Sequence, residues 1–267
     1  MKFIKYYLTL FSFLHASLIF AQISPPGMDG TKAVSWGVVG FSQVLNKKLN
    51  LTVYGGAARM SNPDSWSLAE KQGIAVYNQE LLYKFSKKWQ VSFANSFRLQ
   101  NLYSEESPYE AKDPSYRYEL RYYGRLYYRQ QFRKVALNYA FRPEARTFYS
   151  SDWDPSSHPF ELRIRLKATA SIPLNQDKTN IIIGGNEILT AVDEYQSSIP
   201  SDRHHTWSNY HFTEDRFTAY FRHVFKKADM IVNLGIMEQF KAGGHMDPVS
   251  YACFDVIFQN PFSRHIN

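Results

Sequence analysis

Two clusters in this sequence carry side chains able to do chemistry. In the stretch SSIPSDRHHTW, Ser201, Asp202, His204 and His205 stand close together, and His211 follows. Serine, histidine and a carboxylate are the members of a nucleophilic triad, in which the imidazole takes the hydroxyl proton and the acid orients the ring. His204, His205 and His211 are also a set that could capture a metal. Close neighbours in a loop need not converge, however, and polar loop composition explains them equally well. No catalytic residue and no metal ligand is assigned here. The acidic residues Glu105, Glu106, Asp113, Asp152 and Asp154 could attract calcium, but solvated loops are the default reading. No nucleotide loop, zinc spacing or Gly-x-Ser-x-Gly elbow occurs, and no cofactor is expected.

The second cluster is YRYELRYYGRLYYR, Tyr116 to Arg129. Arg117, Arg121, Arg125 and Arg129 recur every fourth residue, as on one face of a helix. The same residues, with Glu119, Tyr123 and Tyr127, also occupy every second position, as on one face of a strand. Related segments decide between the two. In PFELRIRLKATASIPL, Phe160, Leu162, Ile164, Leu166, Ala168, Ala170 and Ile172 share one parity; Glu161, Arg163, Arg165, Lys167, Thr169 and Ser171 share the other. A helix would scatter those apolar residues around its circumference, so these segments are strands. DRFTAYFRHVF sets Phe217, Ala219 and Phe221 against Arg216, Thr218, Tyr220 and Arg222. WQVSFANSFRLQ sets Val91, Phe93, Phe97 and Leu99 against Gln90, Ser92, Ser96 and Arg98.

These strands come in pairs joined by very short, mostly basic turns. KAVSWGVVGFSQVL meets LNLTVYGGAARM across Asn46-Lys47-Lys48, and GIAVYNQELLYKF meets WQVSFANSFRLQNLY across Ser86-Lys87-Lys88. The arginine stretch meets VALNYAFRPEARTFY at Arg133-Lys134. PFELRIRLKATASIPL meets NIIIGGNEILTAV across NQDKT, DRFTAYFRHVF meets ADMIVNLGIMEQF across Lys226-Lys227, and VSYACFDVIFQNPF comes last. Longer linkers rich in Ser, Pro, Asp and Glu separate the pairs. Short turns at one end and long loops at the other are the organisation of outer-membrane barrels, whose tilted strands need at least about 9–11 residues. The expected fold is all-β: an up-and-down antiparallel transmembrane β-barrel of about 10–12 strands. Eleven segments are counted where an even number is expected, which leaves a strand missing before the first one. Residues 23–31 look too short and too rich in Pro and Gly to supply it.

The ends and the composition agree with export. Lys2 and Lys5, the apolar run LTLFSFLHASLIF and Ala21 before Gln22 form a secretory signal, with a retained amphipathic anchor as the alternative. The expected division is a signal peptide at 1–21, a short segment at 22–31, the barrel at 32–262 and a tail at 263–267. Without Lys2 and Lys5 the formal charge falls from +7 to +5. That mild balance in an exported chain points to lipopolysaccharide or anionic headgroups and away from nucleic acid. The single cysteine, Cys253, excludes an internal disulfide. The 19 Tyr and 20 Phe suit a barrel whose interfacial girdles are aromatic.

If the apolar parity meets lipid, the other parity lines the lumen. That face collects Arg98, Arg117, Arg121, Arg125, Arg129, Arg142, Arg146, Arg163, Arg165, Lys167, Arg216 and Arg222, with the acids Glu119, Glu144 and Glu161. So many charges must be paired, wet or both, and arginine's planar fork suits bidentate pairing with carboxylates. A self-neutralised interior is one outcome. An anion-favouring passage or a site for an anionic ligand is the other, because these bases outnumber these acids. Some positions strain the pattern. Asn78 and Glu80 share parity with Ile74, Val76 and Leu82. Pro143 suggests a bulge or the end of pairing. Gly184-Gly185 suggests a kink, and Glu187 and Glu238 have parities that could point them at lipid.

The ordered set GGAARMSNPD, YNQELLYKFSKKWQVSFANSFRLQNLYSE, YELRYYGRLYY, NEI, EDRFTAYFRHVF and FDVIFQNPF resembles the domain of unknown function 2490 family across roughly residues 32–262. The resemblance implies an exported gram-negative outer-membrane β-barrel and offers no catalytic residues to carry over. The chain departs from the usual barrel ending on an aromatic, since Phe262 is followed by SRHIN. The expected protein is therefore a monomeric, non-enzymatic outer-membrane barrel with a structural or accessory role, or with a narrow arginine-lined pore or anionic-ligand site. Its expected partners are outer-membrane lipid, lipopolysaccharide and the barrel-assembly machinery. Two alternatives stay open: a barrel-embedded lipid or lipopolysaccharide hydrolase using the His204 neighbourhood, and a soluble periplasmic lipocalin-like carrier with its apolar face inward.

Overall fold

A computed structural model describes residues 23–196, 205–243 and 248–263. The expected signal peptide at 1–21, Ser201, Asp202, His204 and the last four residues lie outside that range. The strands are β1 (Ala33–Val44), β2 (Leu49–Met60), β3 (Lys71–Lys84), β4 (Trp89–Tyr103), β5 (Ala111–Phe132), β6 (Val135–Tyr149), β7 (Pro155–Pro173), β8 (Asn180–Gln196), β9 (His205–Trp207), β10 (His211–Phe225), β11 (Met230–Lys241) and β12 (Val249–Gln259). Eleven of them close into a barrel, in which β8 pairs with β10 and β12 with β1; β9 only extends β8 at the rim. All five expected hairpins form, and the arginine stretch is the middle of β5.

The ladder is antiparallel except at one seam. β1 and β12 run parallel, with Ala33 opposite Ser250 and Ser42 opposite Gln259. That corrects the expectation of an antiparallel barrel and explains the odd strand count: an odd number of up-and-down strands can close only where first and last run the same way. The missing crossing is supplied from inside. From the start of β1 at the long-loop rim, residues 23–31 turn back into the lumen, where Pro25, Pro26 and Met28 are buried. A run rich in Pro and Gly cannot join a central ladder, but it can line a lumen.

Alternation decides the rest. On β5, Tyr118, Leu120, Tyr122, Gly124, Leu126 and Tyr128 point outward, and Arg117, Glu119, Arg121, Tyr123, Arg125, Tyr127 and Arg129 point inward. Outward apolar residues on the other strands are well exposed, among them Val39 at 60%, Phe93 at 61% and Leu166 at 54%. The lumen is divided lengthwise. The wall built by β1, β2, β3, β11 and β12 buries Trp36, Val38, Ile74, Val76, Met237 and Tyr251, and Met28 packs among them. Gly56 makes room for this core, since a Cβ there would lie 2.4 Å from the Trp36 ring. The mixed inner parity of β3 has its reason here, because Ile74 and Val76 join the apolar wall while Asn78 and Glu80 face polar partners.

Three other strained positions resolve without a bulge. Pro143 points outward opposite Gly124 and leaves a gap in the β5–β6 ladder, yet the register on either side is the same. Pairing therefore neither shifts nor ends there. The β7–β8 register runs unbroken past Gly184-Gly185. Glu187 is buried in the lumen and does not face outward, because Ile181, Ile183 and Leu189, which share its parity, are inward too. Glu238 does point outward, near the long-loop end of β11, where Ser250 Oγ donates to it at 2.8 Å.

Candidate functional site: an ionic ring and a basic chamber

The five strands β5, β6, β7, β8 and β10 form the opposite, charged wall of the lumen. Their inward positions place carboxylates and guanidinium groups in alternation around a closed circuit. Starting from Glu119, Arg146 Nη2 binds it at 2.9 Å and reaches Glu161 with Nη1 at 2.5 Å. Arg163 continues from Glu161 at 2.7 Å to Glu214 at 3.2 Å. Arg216 binds Glu214 at 2.7 Å and approaches Glu187 at 3.6 Å. Arg165 lies 3.7 Å from Glu187 and 2.6 Å from Glu144. Arg121 then joins Glu144 at 3.1 Å and Glu119 at 2.6 Å, closing the ring. Five acids alternate with five arginines, so the ring is neutral by itself. Each carboxylate touches two arginines of the ring, which is the compensation that burial of charge demands.

The N-terminal segment is fastened across this ring. Arg216 Nη1 donates to the carbonyl oxygen of Pro25 at 2.9 Å, and Lys167 Nζ donates to Ser24 Oγ at 2.7 Å. Met28 N donates to Tyr251 Oη at 2.9 Å, and Lys241 holds Met28 O and Asp29. Gly27 sits tightly against the ring: a Cβ there would lie 2.6 Å from Arg216 Nη2 and 2.9 Å from Glu214 Oε2, so those side-chain ends would have to shift.

Between the ring and the short-turn end lies a cavity of about 150 Å³, with Arg165 and Glu187 of the ring in its lining and Lys88 at its rim. Eight basic side chains line it against two carboxylates, Glu80 and Glu187. Glu80 is engaged by Arg125 at 2.7 Å, Ser92 Oγ at 2.5 Å and Tyr127 Oη at 3.1 Å. Arg142 is held by Glu144 at 2.5 Å and stacks 3.6 Å above the Tyr123 ring. Arg222 donates to Asn233 Oδ1 at 2.8 Å. Lys84, Lys88 and Arg129 make no ion pair among the described residues.

Every basic residue that the sequence assigned to the lumen points inward. They divide into three groups. Arg121, Arg146, Arg163, Arg165 and Arg216 build the ring. Arg125, Arg129, Arg142, Lys167 and Arg222 line the chamber. Arg98 and Arg117 lie on the long-loop side, where Arg117 donates to Gln100 Oε1 at 3.0 Å and Arg98 stands opposite Glu119 in register. Sequence reasoning missed the acids Glu80, Glu187 and Glu214, and the lysines Lys84 and Lys88. Glu214 was within reach, because it shares parity with Arg216 one step before the alternating run begins. The N-terminal segment carries no periodic signal at all.

The described part of the histidine cluster does not converge. His205 Nδ1 meets Glu194 at 2.6 Å, while His211 Nε2 meets Asp193 at 3.4 Å. Among the described residues no group of three or more His, Cys, Asp or Glu could hold a metal ion.

A model of the family described as "Protein of unknown function (DUF2490)" matches residues 35–248, and the chain belongs to that family. No match is found among curated proteins.

Proposed function

We propose that this member of the family is an exported, non-enzymatic barrel of the gram-negative outer membrane. It is closed toward its long loops and holds an anionic ligand in the basic chamber at its short-turn end. The observation that carries the membrane reading is the spacing of two outer aromatic bands. At the short-turn end Tyr128 packs against Trp89 at 4.7 Å and stacks with Tyr139 at 6.3 Å. At the long-loop end Trp153 gathers Tyr118 at 4.4 Å and Tyr149 at 5.8 Å. Tyr118 and Tyr128 are ten residues apart on β5, about 33 Å along a strand. At the usual tilt of roughly 35–45° that is a height of about 25 Å, the apolar band of membrane barrels. Between the bands the surface is Leu120, Tyr122 and Leu126 on β5, with Phe93 and Phe141 beside them. A water-soluble barrel would not expose such a belt.

The anionic-ligand reading rests on the excess of cations in the chamber and on three of them having no acidic partner among the described residues. The ring and the N-terminal segment stand between the chamber and the long loops, which favours a binding site over an open pore. Fractionation with gel migration tests the membrane reading. The expected protein is in the outer-membrane fraction and migrates differently boiled and unboiled; a soluble pool with identical migration overturns it.

A further inference from the structure

We infer that the chamber takes an anionic amphiphile, with a carboxylate or phosphate head at Lys84, Lys88 and Arg129 and an aliphatic tail against Ile183, Ile231 and Ile257. This rests on the reading of the chamber as an anion site and adds the class of anion. The two walls of the chamber differ in kind. On β3, β5 and the turn after β3, Lys84, Lys88 and Arg129 stand on neighbouring positions; Arg129 N donates to Lys88 O at 2.8 Å. Three cations side by side without a carboxylate repel one another, and a shared anion relieves all three. The remaining five chamber cations are already engaged: Arg125 by Glu80, Arg142 and Arg165 by Glu144, Arg222 by Asn233 and Lys167 by Ser24.

Across the lumen, β8, β11 and β12 present Ile183, Ile231 and Ile257, which are buried and line the same cavity. Ile231 and Ile257 are opposite each other in register, so they form one continuous aliphatic patch. The polar groups on that wall are tied among themselves, with Arg222 on Asn233 and Asn233 on Asp255 at 3.3 Å. A small hydrophilic anion would leave the aliphatic patch unused, and a neutral lipid would leave the three cations unanswered. A volume of about 150 Å³ is room for a benzene-sized group, so the chamber holds the first carbons of a tail and a longer chain runs out past the rim.

The test uses the whole protein in nanodiscs of zwitterionic lipid, with octyl phosphate, inorganic phosphate and octanol as probes and the thermal unfolding midpoint as readout. Half-saturation is expected at a concentration at least tenfold lower for octyl phosphate than for inorganic phosphate. The double variant K84Q/R129Q should weaken octyl phosphate at least tenfold. I231A/I257A should bring octyl phosphate toward inorganic phosphate while leaving the latter unchanged. Partition of octyl chains into the disc is common to parent and variants and cancels in that comparison. Equal half-saturation by the two phosphates overturns the amphiphile and leaves the anion site standing. Octanol matching octyl phosphate, or no phosphate response that K84Q/R129Q removes, overturns both. Unboiled gel migration reports folding, and Arg129→Gln alone replaces the double variant if that one does not fold.

Discussion

Arg216 joins Pro25 across 191 positions of sequence, donating from Nη1 to the Pro25 carbonyl at 2.9 Å while Nη2 holds Glu214 at 2.7 Å. One guanidinium thus fixes both the ionic ring and the segment that lies over it. If this pairing keeps the lumen shut, the intact barrel conducts little in a planar bilayer. Deleting residues 23–30 should raise conductance and favour anions over cations, because the lining left behind is basic. Gly27→Leu should act in the same direction, since its side chain would collide with Arg216 and Gln239. Unchanged conductance in both variants would remove the segment from any closing role.

The ring makes its acids far more sensitive than an outward acid. Glu144 answers Arg121, Arg142 and Arg165. Glu144→Gln leaves buried arginine charge uncompensated, with an expected cost of about 3–5 kcal/mol. Glu238→Gln, on the outer surface near the rim, should cost within about 0.5 kcal/mol, in the range of ordinary surface substitutions. Urea unfolding of the two variants in lipid vesicles separates them, and equal losses would count against the ring as the main stabiliser of this wall.

The outer face can be tested by charge. Leu166 is 54% exposed on β7, between the inward Arg165 and Lys167. In a bilayer Leu166→Arg should cost about 2–4 kcal/mol if the residue lies near mid-depth. On a wet surface the same change would be nearly neutral. Folding free energy into vesicles is the measurement.

The parallel seam predicts a specific cross-link. Ser35 and Ala252 are register partners, and both side chains point outward. With Cys253→Ala as background, the pair S35C/A252C should oxidise and hold the barrel against heat. S35C/F258C should not, because Phe258 pairs with Phe41, six residues further along β1. Cross-linking of the second pair and not the first would mean that the seam runs antiparallel.

Much of this architecture was legible because a strand's side-chain period is two. Once PFELRIRLKATASIPL identified the period, each inward arginine followed from its parity, and the structure keeps every one. The sequence could not say which arginines meet which acids, since those partners come from strands brought together only by register. Glu187 was misassigned for a physical reason. On β8 the inward face is itself largely apolar, with Ile181, Ile183 and Leu189, so hydrophobicity no longer marks the outside. Mixed faces of this kind follow from a lumen that is half core and half ionic. The fate of residues 23–31 was hidden for another reason: an unpaired segment packed inside a wall has no alternation to read.

That segment also makes the barrel a closed loop around a stretch of its own chain. Ile23 and Ser24 lie at the chamber, the chain leaves by the opposite rim, and the wall is complete only when β12, the last strand, meets β1. Residues 23–31 must therefore be inside when the last strand zips shut, or be drawn in afterwards. A bulky folded tag placed just before Ile23 would have to stay out and would pull the thread with it, whereas one placed after Phe262 hangs free. The position of a tag thus becomes a choice between a threaded and an unthreaded molecule.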